Sequence, residues 1–264
     1  MKNATNAAEA YEQYAALFNT NSLVQASWHS QADDGRQLAC ALGALGEDVS
    51  SPRDCPAQIM PRWLAQMVPW FFDNQEFEAA KAWGLAFYGE LKRLDGNVPF
   101  SVIHDWQASV VGALAVKTAE DQKRDVAAHQ ALADMQKAAV EGQKFTADEW
   151  RPVLKAAFLD IYKFRYRAYA DADADAGADS NADAYADAYA DADAYADADA
   201  YADSNADAYA DADAYADAYA DAYAYAYAYA YAYAYADADA DAKYRARVAV
   251  LATGMVECLK RVNP

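Results

Sequence analysis

From residue 168 to residue 242 the chain alternates alanine with aspartate or tyrosine, relieved only by one Gly and two Ser-Asn pairs, and contains no Lys, Arg, Glu, Leu, Ile, Val, Trp or Phe. Strict alternation is the period of a β-strand, which would put every alanine on one face and every tyrosine and aspartate on the other. On a helix, steps of two residues turn by about 200°, so Tyr223 to Tyr235 would spread round the whole circumference and leave no apolar stripe. Propensity opposes the strand. Alanine and aspartate are depleted in sheets, whereas half the tract is the best helix former and the rest costs roughly 0.5 to 0.7 kcal/mol per residue in a helix.

The period also has a genetic explanation. "ADSNADAYAD" at 178 to 187 recurs at 202 to 211, a shift of 24 residues, as slippage of a short nucleotide repeat would leave. We therefore read the tract as helical, because helical segments flank it and no proline interrupts it. One unbroken helix from Thr146 to Val262 would span roughly 175 Å, too long beside a compact domain, so the helices are expected to fold back. "GADSN" at 177 to 181 and "ADSN" at 202 to 205 supply turn and cap chemistry for the corners. The alternative is a β-solenoid or stacked strands, with alanine inside and an acidic tyrosine ladder outside. A solvated, disordered tail is a third option, opposed by the 15 tyrosines in the tract.

Charge divides at the same boundaries. The tract holds 19 of the 41 acidic residues, leaving 22 elsewhere against 22 Lys and Arg, so the whole net charge of −19 belongs to it. Such a surface repels nucleic acid and acidic membranes and attracts basic partners, with a reach that salt limits to about 8 to 10 Å. Cys40, Cys55 and Cys258 are too few and too irregularly spaced for a disulfide framework or a zinc site, which suits a reducing compartment. The first residues lack the apolar run of a signal peptide, and no window approaches about 18 uncharged apolar residues. Cytoplasm is the expected location.

The remaining sequence reads as all-α: a helical domain over 1–145, a connecting helix over 146–167, and a C-terminal helix over 243–264 after the tract at 168–242. "AAEAYEQYAALF" spaces Ala7, Tyr11, Tyr14, Leu17 and Phe18 helically, and "GRQLACALGAL" is read as a helix with Leu38, Ala41, Leu42 and Leu45 on one side. In "AQIMPRWLAQMVPWFFD", Pro61 and Pro69 should start, kink or end short helices, and the aromatic residues read as core. "QEFEAAKAWGLAFYGELKRL", "SVIHDWQASVVGALAVKTA" with Ser101 as cap, and the more polar "EDQKRDVAAHQALADMQKAAVEGQ" continue the pattern. No run reads as a convincing strand. "FTADEW" carries a capping box, Thr146 with Glu149, and Phe145 is placed to staple against Trp150 or its neighbours. Trp150, Leu154, Ala157, Phe158 and Ile161 form one apolar stripe, and Val248, Leu251, Ala252, Met255 and Leu259 form another.

Sites are scarce. Asp171, Asp173 and Asp175 have the 1-3-5 spacing of an EF-hand loop, but glycine falls one position late and Ala182 stands where the bidentate Glu belongs. "DADADA" at 237 to 242 is equally weak, and diffuse cation condensation is the simpler account of both. His29, His104 and His129 lack ligand-spaced neighbours, and Gly-rich phosphate loops, nucleophile elbows and His-Glu metal helices are missing. The basic clusters "KFRYR" at 163 to 167 and "KYRAR" at 243 to 247 read as local charge balance at the tract's ends. As a DNA mimic, one helix would carry a carboxylate per roughly 6 Å against one phosphate per about 1.7 Å of duplex. Three segments side by side would approach duplex density, so mimicry requires the tract to fold back.

"RQLACALGAL", "CPAQIMPRWLAQMVPWFFD", the "FTADEW" helix start, the Ala/Tyr/Asp tract and the closing "LATGMVECLK" together resemble a loose group of phage and bacterial proteins, some labelled immunity-like. The resemblance implies a helical accessory protein and transfers no catalytic residue. The expected function is a non-enzymatic inhibitor or binding protein, phage or prophage encoded, without cofactor or metal. Its partner would be a basic or nucleic-acid-binding protein, with no direct contact to nucleic acid or membrane. The expected contact residues are Asp187, Asp191, Tyr195, Tyr201, Asp211, Tyr215, Tyr219, Tyr223, Tyr227 and Tyr231, since tyrosine supplies contact area at low entropic cost and aspartate steers basic partners. The alternative is a structural protein that self-associates through the Ala/Tyr tract.

Overall fold

A computed structural model describes residues 2 to 169 and 240 to 264, with side chains described up to 161 and from 241. The described residues are predominantly helical and fall into two compact units. The first comprises Met1–Val102 and Arg245–Pro264, and the second Ile103–Tyr244. Residues 1 to 145 are thus shared between the two.

The first unit opens with α1, Ala7–Asn19. Asn6 caps it by accepting from Glu9 N at 2.9 Å, while Glu9 reaches back to the Thr5 amide at 2.9 Å. This reciprocal arrangement satisfies donors that the first helical turn leaves orphaned. Next come two short antiparallel strands, β1 (His29–Gln31) and β2 (Gln37–Ala39), paired with Ser30 opposite Leu38. These correct the helix expected over "GRQLACALGAL" and the absence of strands. Asp34 and Gly35 form a tight turn in which Gly35 takes φ +85° and Ala32 N donates to Arg36 O at 2.9 Å. A three-residue loop with glycine in the left-handed region closes a hairpin, so residues 37 to 39 pair backward across it. Leu42 and Leu45 are buried all the same, on and beside a 3₁₀ turn at Gly43–Leu45.

Helix α2 (Arg62–Asp73) begins after Pro61, which has φ −64° and ψ 151°, and runs on through Pro69. Helix α3 (Phe77–Arg93) lies against both α1 and α2. The aromatic residues of α2 and α3 form the expected core: Phe71, Phe72, Phe87 and Tyr88 are fully buried, with Trp83 stacked on Phe87 at 5.0 Å between centroids. Tyr14 of α1 joins them, its ring 5.0 Å from that of Tyr88 and its hydroxyl donating to Lys81 O at 3.1 Å.

The last helix, α8 (Ala240–Arg261), completes this unit although 70 residues separate it from the end of the preceding described helix at Tyr169. Val248, Leu251, Ala252, Met255 and Leu259, the stripe read from sequence, are all fully buried. Trp83 Nε1 donates to Ala252 O at 3.0 Å, and Arg93 donates to Leu259 O and Val262 O at 2.7 and 2.9 Å. The arginine thereby answers carbonyls that the helix end leaves without intrahelical donors, and its charge matches the negative end of the dipole.

The second unit contains the π-helical turn Gln107–Gly112 that follows α4 (Ser101–Trp106), then α5 (Ala113–Asp121), α6 (Ala127–Val140) and α7 (Ala147–Tyr169). Gly112 lets α6 come close, since a Cβ there would lie 2.9 Å from the Cβ of Ala133. The capping box at the start of α7 forms as read, with Thr146 N and Oγ1 both donating to Glu149 Oε2 at 2.8 Å. Phe145 meets Trp150 edge to face at 5.4 Å. Trp150, Leu154, Ala157, Phe158 and Ile161 are buried, so the staple and the stripe anchor α7 in this unit. No helix among the described residues is long and apolar enough to cross a membrane.

Candidate functional site

The ten aspartates and tyrosines expected to contact a partner, from Asp187 to Tyr231, lie outside the described residues, as do Asp171, Asp173 and Asp175. Only the tract's attachments are on view. At its far end, Lys243 is exposed, whereas Arg245 donates to Gln75 O at 3.1 Å and lies 3.8 Å from Glu76 Oε1. Part of the "KYRAR" cluster is therefore spent on holding α8 within the first unit, in line with local charge balance.

Among the described residues, chemistry-bearing side chains concentrate inside the second unit. His104, on α4, hydrogen-bonds through Nδ1 to Gln136 Oε1 on α6 and stacks on Trp150 of α7 with ring planes 4° apart. Because the amide oxygen only accepts, Nδ1 carries the proton. Burial pushes the His104 pKa down to about 4, against a smaller upward pull from Gln136, so the imidazole is neutral at physiological pH. Gln107, at the head of the π-helical turn, is also buried.

A second polar group closes the other end of α6. His129, fully buried, bonds to Asp160 Oδ2 at 2.8 Å, and the same oxygen accepts from Arg124. The backbone sets up Arg124: Lys123 turns left-handed at φ 58°, Lys123 N donates to Glu120 O and Arg124 N to Ala119 O at 2.8 Å. That is a Schellman termination of α5, formed here without the usual glycine. Burial raises the Asp160 pKa, but the hydrogen bonds from His129 and Arg124 outweigh it and hold the carboxyl below its ordinary range.

Replacing Asp160 with asparagine should cost about 2 to 3 kcal/mol in urea unfolding at pH 7, less than the 3 to 5 of a fully buried pair because the carboxylate is part-exposed. A depressed folded-state pKa contributes stability above the unfolded value and loses it as pH falls through the folded one. The gap between the two proteins should therefore narrow below about pH 4; a gap that persists at pH 2 would assign the cost to shape.

Sequence reading did not single out Arg124, Asp160, Gln107 or Gln136. A signal existed on α6, where His129, Leu132, Gln136 and Ala139 share one helical face and are all buried. The polar members of that face resemble solvent-exposed residues until the partner helix is known.

The first unit offers thiols of low reactivity. Burial raises the Cys40 pKa to about 11 and that of Cys55 to about 12, so both are protonated at neutral pH. Cys40, Cys55 and Cys258 form no disulfide with one another. His29 Nε2 pairs with Gly43 O at 3.0 Å, so each of the three histidines has a protein partner. No group of three or more His, Cys, Asp or Glu among the described residues is placed to hold a metal ion. No protein-family model matches the chain, and no curated protein or solved structure does.

Proposed function

We propose that this chain is a non-enzymatic binding protein, phage or prophage encoded and cytoplasmic, that neutralises a basic protein partner through the acidic tyrosine-rich tract at 168 to 242. The observation that carries the reading is charge segregation: the tract bears the whole net charge of −19, and the rest of the chain is formally neutral. Among the described residues, both cores are built from side chains outside the tract, and the helices that flank it in sequence bury their apolar stripes in those cores. Aspartate raises the encounter rate with a basic surface, and tyrosine supplies contact area once the surfaces meet. Mimicry of DNA against a nucleic-acid-binding defence protein is the special case in which the carboxylates reach duplex density.

The test compares the intact chain with a version lacking 168 to 242 in affinity capture from host lysate at low and high salt, after circular dichroism shows that the deleted version folds. A basic protein retained only with the tract and released by salt is the expected result. The same protein captured by both versions would move the function to the helical units. Capture of nothing, with sedimentation that grows with concentration, would replace binding by self-assembly.

A further inference from the structure

Among the described residues of the second unit, one buried donor has no hydrogen-bond partner. Trp150 is fully buried, its indole lies parallel to the His104 imidazole at 5.9 Å between centroids, and its Nε1–H has no acceptor among the described residues. Leaving a buried donor unpaired costs about 1 to 3 kcal/mol, and phenylalanine would supply similar packing without that cost. The setting is polar: His104, Gln107, His129 and Gln136 are four of the seven buried polar or charged residues described, and all lie in this unit. Gln107 begins a π-helical turn, a departure from α geometry that recurs at functional sites.

Charge decides what suits the donor. The His104 imidazole is neutral while Nδ1 serves Gln136, and Arg124 and Asp160, at the other end of α6, pair with each other. A buried anion would need a cation of its own, whereas an uncharged oxygen needs none. We propose that the interior of the second unit beside Trp150 and the His104–Gln136 pair binds an uncharged acceptor oxygen, held by the Trp150 Nε1–H. Two sources share that chemistry, an internal water and the carbonyl of a small amide or ketone. The competing acceptor is the face of Phe145, whose ring stands at 70° to the indole with centroids 5.4 Å apart; an N–H to π contact is much the weaker bond. This inference is independent of what the acidic tract binds.

The experiment is NMR on the full chain with ¹⁵N-labelled tryptophan, the Trp150 indole signal being assigned by its loss in Trp150→Phe. A cross-peak from Nε1–H to a long-lived water, unchanged by N-methylacetamide, identifies water. A saturable shift of this signal with N-methylacetamide, unmatched by the five other indoles, identifies a carbonyl site. Absence of both overturns the proposal; movement of the signal in Phe145→Leu would then name the ring as the acceptor.

Discussion

Replacing Gly84 with alanine is expected to destabilise the first unit by about 2 to 3 kcal/mol and lower its melting temperature by roughly 10 °C. A Cβ at Gly84 would lie 2.1 Å from Tyr14 Oη and 2.4 Å from its Cζ. Tyr14 has no room to yield, since it is fully buried, its ring packs on Tyr88 and its hydroxyl donates to Lys81 O. Overpacking costs about 1 to 3 kcal/mol and the lost hydrogen bond about 1, while alanine's better helix propensity returns at most about 1. Thermal unfolding measures the sum, and an unchanged or raised midpoint would show that α1 and α3 are not in this close contact. Adding Tyr14→Phe removes the nearest atom, so the double variant should be more stable than the two single costs predict, by at least about 0.5 kcal/mol.

The second unit should lose roughly 3 kcal/mol between pH 6.5 and pH 4 through His104 alone, at about 1.4 kcal/mol per pH unit. In that interval the unfolded chain protonates the imidazole while burial keeps the folded one neutral, with its pKa lowered to about 4. The unfolded state then binds more protons, so stability rises with pH and falls on acidification. Below that range the carboxylate of Asp160 contributes a separate loss, which divides acid unfolding into two windows. Urea unfolding at half-unit pH steps reads the slope. In His104→Phe the slope should drop by the equivalent of one proton, whatever the variant's absolute stability; an unaltered slope would mean that the folded protein protonates His104 as readily as the unfolded chain does.

The helices were legible wherever local chemistry and burial agree. Thr146 with Glu149, and Phe145 before Trp150, announce the start of α7 because a capping box and a staple are contacts between near neighbours. The α8 stripe from Val248 to Leu259 was legible for a similar reason, since apolar spacing at the helical period reports a buried face. The hairpin was misread because Leu38, Ala41, Leu42 and Leu45 also fit a helix over a short run. The deciding influence was the Asp34–Gly35 turn, whose left-handed glycine favours reversal of the chain.

The polar interior of the second unit was not legible at all. Asp160 lies 31 residues from His129 and Gln136 lies 32 from His104, and periodicity classifies each of them by polarity without knowing its partner. The same holds for the first unit, which α8 joins although the 70 residues before it share no apolar pattern with it. Composition and short-range pattern thus determined where charge accumulates, which segments are helical and which face of each is apolar, because those properties depend on residues within a few positions. Tertiary structure alone decided that α8 completes the first core, that Tyr14 depends on the missing side chain of Gly84, and that His104, His129 and Asp160 are buried, because burial is set by the element that arrives from elsewhere in the chain.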